Sequence, residues 1–315
     1  MSEGIYPRHL WFNGQIVPWE AATLHATSTI WSGISAVFEG IRAYWNPISG
    51  EMHVFRLHEH LTRLKQSMRL NRMEMPHEAI DLMEGLPELI RRNGIQEDTY
   101  IRIIAFPSER RMASRADEEV MNLLADTAPL ASRLADDRAA HLMVSTFTKI
   151  SDAIMSPLVK SIANYRNSER AMQEARLAGY DGTILLNRLG EVAEGAWSNV
   201  FMVRNGVLIT PDLGSDLLAG VTRDTMIHLA RTELGIPVEE RRISRTELYL
   251  ADEVFLCGTA LEMQAVASID RFQIGDGTLG PVARKLRSLY SAAVRGENDD
   301  YAHWRSTAPT MQAAY

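Results

Sequence analysis

Cysteine is almost missing from this sequence: Cys257 is the only one in 315 residues. No internal disulfide can form, and the chain suits a reducing cytoplasm. Long apolar runs are missing too. Charges interrupt every one before it could span a bilayer, and Met1–His9 has no apolar core of signal-peptide length. Basic charge is in deficit, with 33 Lys and Arg against 40 Asp and Glu, a net charge of −7. That balance argues against nucleic acid as a main partner. There is no Gly-rich loop of dinucleotide or P-loop type, no Gly-x-Ser-x-Gly elbow, no repeat and no low-complexity tract. Lysine is scarce as well. Of the 33 basic residues only four are lysines: Lys65, Lys149, Lys160 and Lys285. An enzyme using a lysine amine has four places to look.

What is present is ordinary for a folded protein: 46% hydrophobic and 23% charged residues. The length suggests two domains. Leu10 to Gln15 reads as a hairpin turned by Asn13-Gly14. A strand is expected at Met52–Arg56. A helix follows from His58 to Leu70, where Leu57, Leu61, Leu64 and Met68 recur at helical spacing. A second helix over 79–93 ends at Gly94, and Tyr100–Phe106 is an apolar strand. Residues 110–137 are charged and interrupted, so 127–139 is taken as a linker between an N-terminal domain, 1–126, and a C-terminal one, 140–315. In the latter, strands are expected at His141–Thr148, Gly182–Asn187, Asn199–Arg204, Val207–Thr210, Glu253–Cys257 and Gln264–Ile269. Helices are expected at Arg166–Ala178, Thr222–Leu234 and Leu279–Val294. Hairpins mixed with helices indicate an α+β fold.

Two chemical readings are weak. His58-Glu59-His60 suggests a metal, but its histidines fall on different helix faces, and no metal is expected. Cys257 closes the apolar run Val254-Phe255-Leu256 and reads as a packed thiol. Among the lysines, Lys65 and Lys285 sit beside arginines on amphipathic helices, and Lys149 follows a strand and could be exposed. Lys160 has no other charge within five residues. Apolar surroundings lower an ammonium's pKa and suit it to attack an aldehyde. A packed stem with its head in water accounts for the same flanks.

Three further segments carry polar groups at element ends. Glu194 closes a short strand before a small-residue turn, where a carboxylate could face a buried cation. Leu218-Ala219-Gly220-Val221-Thr222 opens a helix whose first N–H groups could receive an anion. Gly258-Thr259-Ala260 is a strand-end turn with a hydroxyl. A cap and a turn explain the last two without a ligand.

The segments Trp11–Gly14, Val37–Arg42, Glu59–Leu64, Tyr100–Arg102, Lys160–Tyr165, Glu194–Ala196, Gly220–Asp224, Tyr249–Phe255 and Gly258–Ala260 form an ordered set. In their order and near-family spacing, the chain resembles the fold-type IV pyridoxal-phosphate enzymes, most closely the branched-chain amino acid aminotransferases. They span roughly residues 9 to 295. The resemblance implies a smaller N-terminal α/β domain, a larger C-terminal mixed, barrel-like domain, and pyridoxal 5′-phosphate as cofactor. It implies a homodimer or higher homo-oligomer. It also implies a ping-pong Schiff-base reaction moving an amino group from a branched-chain or other hydrophobic L-amino acid to 2-oxoglutarate.

By the same resemblance, Lys160 holds the cofactor and moves the proton. Glu194 pairs with the pyridine nitrogen, Arg63 holds the phosphate, and Val221, Thr222 and Thr259 complete the phosphate cup. Tyr165 bonds the phenolic oxygen and Leu218 packs on the ring. Tyr100 with Thr259-Ala260 receives the α-carboxylate, Arg102 receives glutamate's side-chain carboxylate, and Phe38 lines the side-chain pocket. The chain departs from the family at four places: Ser32 replaces a pocket tyrosine, Trp197 a glycine, Ala128 and Leu130 replace aromatics, and Ser108–Ala113 replaces a Gly-rich loop. A reshaped pocket motivates an alternative, an (R)-amine or D-amino acid transaminase of the same fold, and less directly a lyase of aminodeoxychorismate type.

Overall fold

In the computed structural model, which describes residues 6–24, 35–75, 82–107 and 121–309, the first hairpin forms where Asn13-Gly14 predicts it. Both residues have positive φ, 47° and 88°, as a primed two-residue turn requires. The hairpin joins β1 (His9–Phe12) to β2 (Gln15–Pro18). The first sheet adds β3 (Val37–Asn46), β4 (Glu51–Phe55), β5 (Thr99–Pro107), β6 (Met121–Pro129) and, from the C-terminal tail, β16 (Arg305–Pro309). Their order is β16-β4-β3-β5-β6-β1-β2. Helices α1 (Leu57–Leu70) and α2 (Leu82–Asn93) supply apolar stripes. Leu57, Leu61, Leu64 and Met68 pack with Ile41, Ile101 and Ile103 in one core. Each such buried side chain contributes about 1.5–3 kcal/mol. The expected helix residues 79–81 lie outside the described residues, as do Ser32 and the 108–113 loop.

The second sheet has nine strands and mixed direction. They are β7 (Ala140–Val144), β8 (Gly182–Leu186), β9 (Val192–Gly195), β10 (Asn199–Arg204), β11 (Val207–Thr210), β12 (Val238–Glu240), β13 (Glu253–Gly258), β14 (Glu262–Ile269) and β15 (Phe272–Gln273). β7 pairs in parallel with β8 and β14, and β11 with β12, while the hairpins are antiparallel. Helices α3 (Ile162–Leu177), α4 (Val221–Thr232), α5 (Arg245–Leu248) and α6 (Pro281–Arg295) accompany it. The architecture is α+β. No helix among the described residues is long and apolar enough to cross a membrane.

The chain divides into two compact units. The first holds the chain to Ala131, the segment Val159–Ala163 and the chain from Ala292 on; the second holds Ser132–Leu158 and Asn164–Ser291. Lys160 therefore belongs to the first unit, although the sequence reading placed it among residues 140–315. The backbone gives the reason: Lys160 O accepts from Phe38 N at 2.9 Å, and Ile162 N donates to Ala36 O at 3.0 Å. Residues 127–129, expected as linker, are strand, because β6 runs in register with β5 as far as Thr99↔Pro129.

Candidate active site

The expected site residues fall into two groups. Phe38, Arg63, Tyr100, Arg102 and Lys160 lie in the first unit, and Tyr165, Glu194, Trp197, Leu218, Val221, Thr222, Thr259 and Ala260 in the second.

In the first unit, β3 and β5 pair antiparallel with Phe38↔Ile104, Gly40↔Arg102 and Arg42↔Tyr100. The two-residue period of a strand puts Phe38, Gly40, Tyr100 and Arg102 on one face and Val37, Glu39, Ile41, Ile101 and Ile103 on the other. Tyr100 lies across Gly40. A methyl group there would sit 1.7 Å from the tyrosine hydroxyl, so the position requires glycine. Arg102 is half exposed and pairs with Asp126 directly across the ladder at 2.5 Å. Lys160 is 9% exposed, and its Nζ lies 4.6 Å from the centroid of the Phe38 ring. An ammonium over an aromatic face is a favourable cation–π arrangement. Its backbone N donates to Ser67 Oγ at 3.1 Å.

The opposite face of β3 carries a charge into the core. Glu39 is fully buried. Its Oε1 accepts from Arg63 Nε at 2.6 Å, and its Oε2 accepts from Arg63 Nη2 at 2.9 Å and pairs with His60 Nδ1 at 2.8 Å. Burial by itself would push the Glu39 carboxyl up. The charge and hydrogen bonds of Arg63, with the hydrogen bond of His60, outweigh burial and hold it well below its ordinary value. Burial pushes His60 down, with Glu39 only partly opposing, so the imidazole stays neutral and donates through Nδ1–H.

In the second unit, Glu194 is the third residue of β9 and is buried. Its carboxylate accepts from Lys149 Nζ, from Asn199 Nδ2 at 3.1 Å and from Leu218 N at 3.1 Å. Asn199 Nδ2 also donates to Leu218 O at 2.9 Å, so Leu218 is tied to Glu194 by its backbone. Lys149, expected at the surface, is thus drawn into an ion pair that leaves its side chain 9% exposed: strand pairing carries the chain after β7 inward, with Lys149 N donating to Leu186 O at 2.7 Å. Lys65 and Lys285 are exposed, as expected.

Helix α4 begins at Val221, one residue earlier than expected, and its N-cap Gly220 brings no side chain to the first-turn N–H groups. A methyl group at Gly220 would lie 2.0 Å from Asn199 Oδ1, which excludes the usual capping residues. Val221 and Thr222 are buried there. Thr259 and Ala260 occupy the turn that joins β13 to β14, with Gly258↔Glu262 as its closing pair. Tyr165 lies in the first turn of α3, half buried. Trp197 is 45% exposed, which makes it a poor core residue and leaves its ring available as a wall for a ligand. Burial pushes the Cys257 thiol up to about 12, so it is not a nucleophile.

Sequence reasoning missed Glu39, His60, Lys149 and Asn199. The first two carried a signal. His60 and Arg63 interrupt the apolar stripe of α1, and Glu39 alternates with Val37 and Ile41 on a core face. A charge at such a position asks for a partner. Lys149 and Asn199 had no comparable local mark.

A family model described as amino-transferase class IV matches residues 36–269. A probable branched-chain-amino-acid aminotransferase of Aquifex aeolicus is 38% identical, over 93% of this chain and 94% of that one. The crystal structure of a branched-chain amino acid aminotransferase from Thermobaculum terrenum in its PLP form is 44% identical with a TM-score of 0.94, covering 97% of this chain and 99% of that one. The T.th. branched-chain amino acid aminotransferase complexed with N-(5'-phosphopyridoxyl)-L-glutamate is 37% identical with a TM-score of 0.89, covering 96% and 99%.

Proposed function

The chain belongs to the class IV amino-transferases, and from that premise we propose that it moves the amino group of a branched-chain or other hydrophobic L-amino acid to 2-oxoglutarate in a ping-pong exchange. The observation that carries the reading is Lys160, a buried amine seated on the Phe38 ring. The cofactor is pyridoxal 5′-phosphate, and the donor set suits it. Lys160 offers a primary amine to an aldehyde, Arg63 a buried guanidinium to a phosphate, and Glu194 a buried carboxylate to a pyridinium. Helix α4 offers first-turn N–H groups that Gly220 does not cap. When bound, the cofactor supplies that aldehyde and an electron-withdrawing ring that stabilises charge developing at the substrate's α-carbon.

The protein's residues do the rest. Lys160 Nζ holds the cofactor and then moves the proton at the substrate's α-carbon. Glu194, oriented by Asn199 and the Leu218 amide, keeps a proton on the ring nitrogen. Arg63, Val221, Thr222 and Thr259 bind the phosphate, Tyr165 the phenolic oxygen, and Leu218 covers the ring. Tyr100 with the Thr259-Ala260 turn receives the α-carboxylate. Arg102, two residues along the same strand face as Tyr100, receives glutamate's second carboxylate. Phe38 and Trp197 line the side-chain pocket. The glutamate adduct of the T.th. relative supports the 2-oxoglutarate half. The relatives do not favour the (R)-amine, D-amino acid or lyase readings. We also read the enzyme as a homodimer or higher homo-oligomer on the resemblance to its family, and as cytoplasmic on its single cysteine.

The test mixes the cofactor-loaded protein with L- and D-amino acids and (R)-amines and follows loss of the visible band. L-Leucine, L-isoleucine, L-valine and L-glutamate should bleach it. A response confined to D-amino acids or (R)-amines overturns the substrate reading. Lys160→Ala should lose the band and more than about 10³-fold in turnover; an unchanged spectrum would refute the role of Lys160.

A further inference from the structure

The cation assigned to the phosphate, Arg63, is already gripped by a carboxylate that the reaction does not use. We propose that Glu39 is a positioning residue for cofactor binding: it sets the Arg63 guanidinium in the orientation that receives the phosphate, at a fixed spacing from Lys160. The inference rests on the roles given to Arg63 and Lys160 above.

The grip is side-on. Glu39 Oε1 and Oε2 take Arg63 Nε and Nη2 at 2.6 and 2.9 Å, so one edge of the planar guanidinium is fully specified. A bidentate bite fixes both the plane of the group and the direction of Nη1, which a single contact cannot do. His60 Nδ1 at 2.8 Å and Gly40 N at 3.3 Å hold the carboxylate in turn. The surroundings are apolar: Val37, Ile41, Leu64 and Val159 belong to the core around the cluster. Well-packed hydrophobic residues would serve stability there as well as an ion pair does. Stability alone therefore does not account for three polar residues on this core face; orientation does.

Chain order sets the spacing between the two cations. Phe38 and Glu39 are neighbours on β3 and point to opposite faces. Phe38 donates its backbone N–H to Lys160 O at 2.9 Å and places its ring 4.6 Å from Lys160 Nζ. Glu39 grips Arg63 on the other side. Helix α1 closes the loop: His60, Arg63 and Ser67 follow one helix face, and Ser67 Oγ accepts from Lys160 N at 3.1 Å. Two consecutive strand residues thus register the amine and the guanidinium against each other.

The experiment measures dissociation constants of two probes for the full-length chain stripped of cofactor: pyridoxal 5′-phosphate and pyridoxal, which lacks the phosphate. Their ratio reports phosphate recognition, and a merely structural loss moves both constants together. Glu39→Gln keeps the side-chain shape. It should weaken pyridoxal 5′-phosphate about tenfold or more and pyridoxal less than about twofold, while Arg63→Met should collapse the ratio further. A ratio unchanged in Glu39→Gln but collapsed in Arg63→Met overturns the positioning role and leaves Arg63 as the anchor. A ratio unchanged in both overturns the Arg63 assignment and this inference with it. If Glu39→Gln does not fold, His60→Leu makes the same test, because it loosens the carboxylate without stranding Arg63. The ratio should then fall about threefold, and an unchanged ratio counts against the proposal.

Discussion

Two buried carboxylates, one in each unit, are paired in opposite senses. In the first unit the cation, Arg63, is the group assigned to the cofactor, and Glu39 serves it through a two-point bite with His60 behind. In the second unit the anion, Glu194, is assigned to the cofactor. Its partner is Lys149, a point charge on a flexible stem, with Asn199 and the Leu218 amide fixing the carboxylate. The difference matches the two tasks. A phosphate needs a guanidinium of fixed orientation. A carboxylate that must receive a pyridinium needs a partner able to yield, while neutral donors keep it in place. Arginine beside Glu194 would be harder to displace; lysine beside Glu39 would leave orientation open.

The largest effect expected is catalytic and belongs to the second unit. Glu194→Gln should retain cofactor yet lower kcat/KM about 10²–10³-fold, because the ring nitrogen loses its charge partner. A loss within twofold of wild type would equate Glu194 with a structural residue and erase the contrast with Glu39. Next comes Lys149→Gln, which strands a buried carboxylate and should cost about 3 kcal/mol in the cofactor-free chain. Bound cofactor supplies a replacement cation, so the rise in Tm on adding pyridoxal 5′-phosphate should exceed that of wild type. An equal rise in both proteins would mean that Lys149 does not yield.

The smallest effect is on acid stability and isolates the first unit. His60 is held below its ordinary value of 6.5, so the unfolded chain binds a proton that the folded chain refuses. That contribution is complete above about pH 6.5 and declines as pH falls. Glu39 is held below its ordinary 4.5, so its share is lost only at still lower pH. In denaturant titrations His60→Leu should flatten the decline that sets in below about pH 6.5 and leave the later one. Parallel curves for the two proteins would show that His60 does not titrate this way.

Most elements were legible because their signals are local. Leucines at helical spacing gave α1, and Asn13-Gly14, with positive φ at both residues, gave the first hairpin. β6 was not legible in full. Ala125, Asp126, Thr127 and Ala128 read as an interrupted polar stretch, yet nine consecutive pairs with β5 make them strand. The tail after Gly296 likewise gave no sign of β16, which pairs with β4 from Arg305↔Phe55 onward while Trp304 meets the Phe55 ring edge-on.

The four lysines show where the boundary lies. Their scarcity, the neutral flanks of Lys160 and the order of the motifs around it are properties of the chain as written, and they are what singles out Lys160 as the amine proposed here. Which unit Lys160 joins, that Lys149 pairs with Glu194, and that Glu39 grips Arg63 were decided only by the fold. Flanking residues determine local polarity and backbone preference. Partners distant in sequence meet only when strand register and helix packing bring them together, and no local pattern encodes that distance.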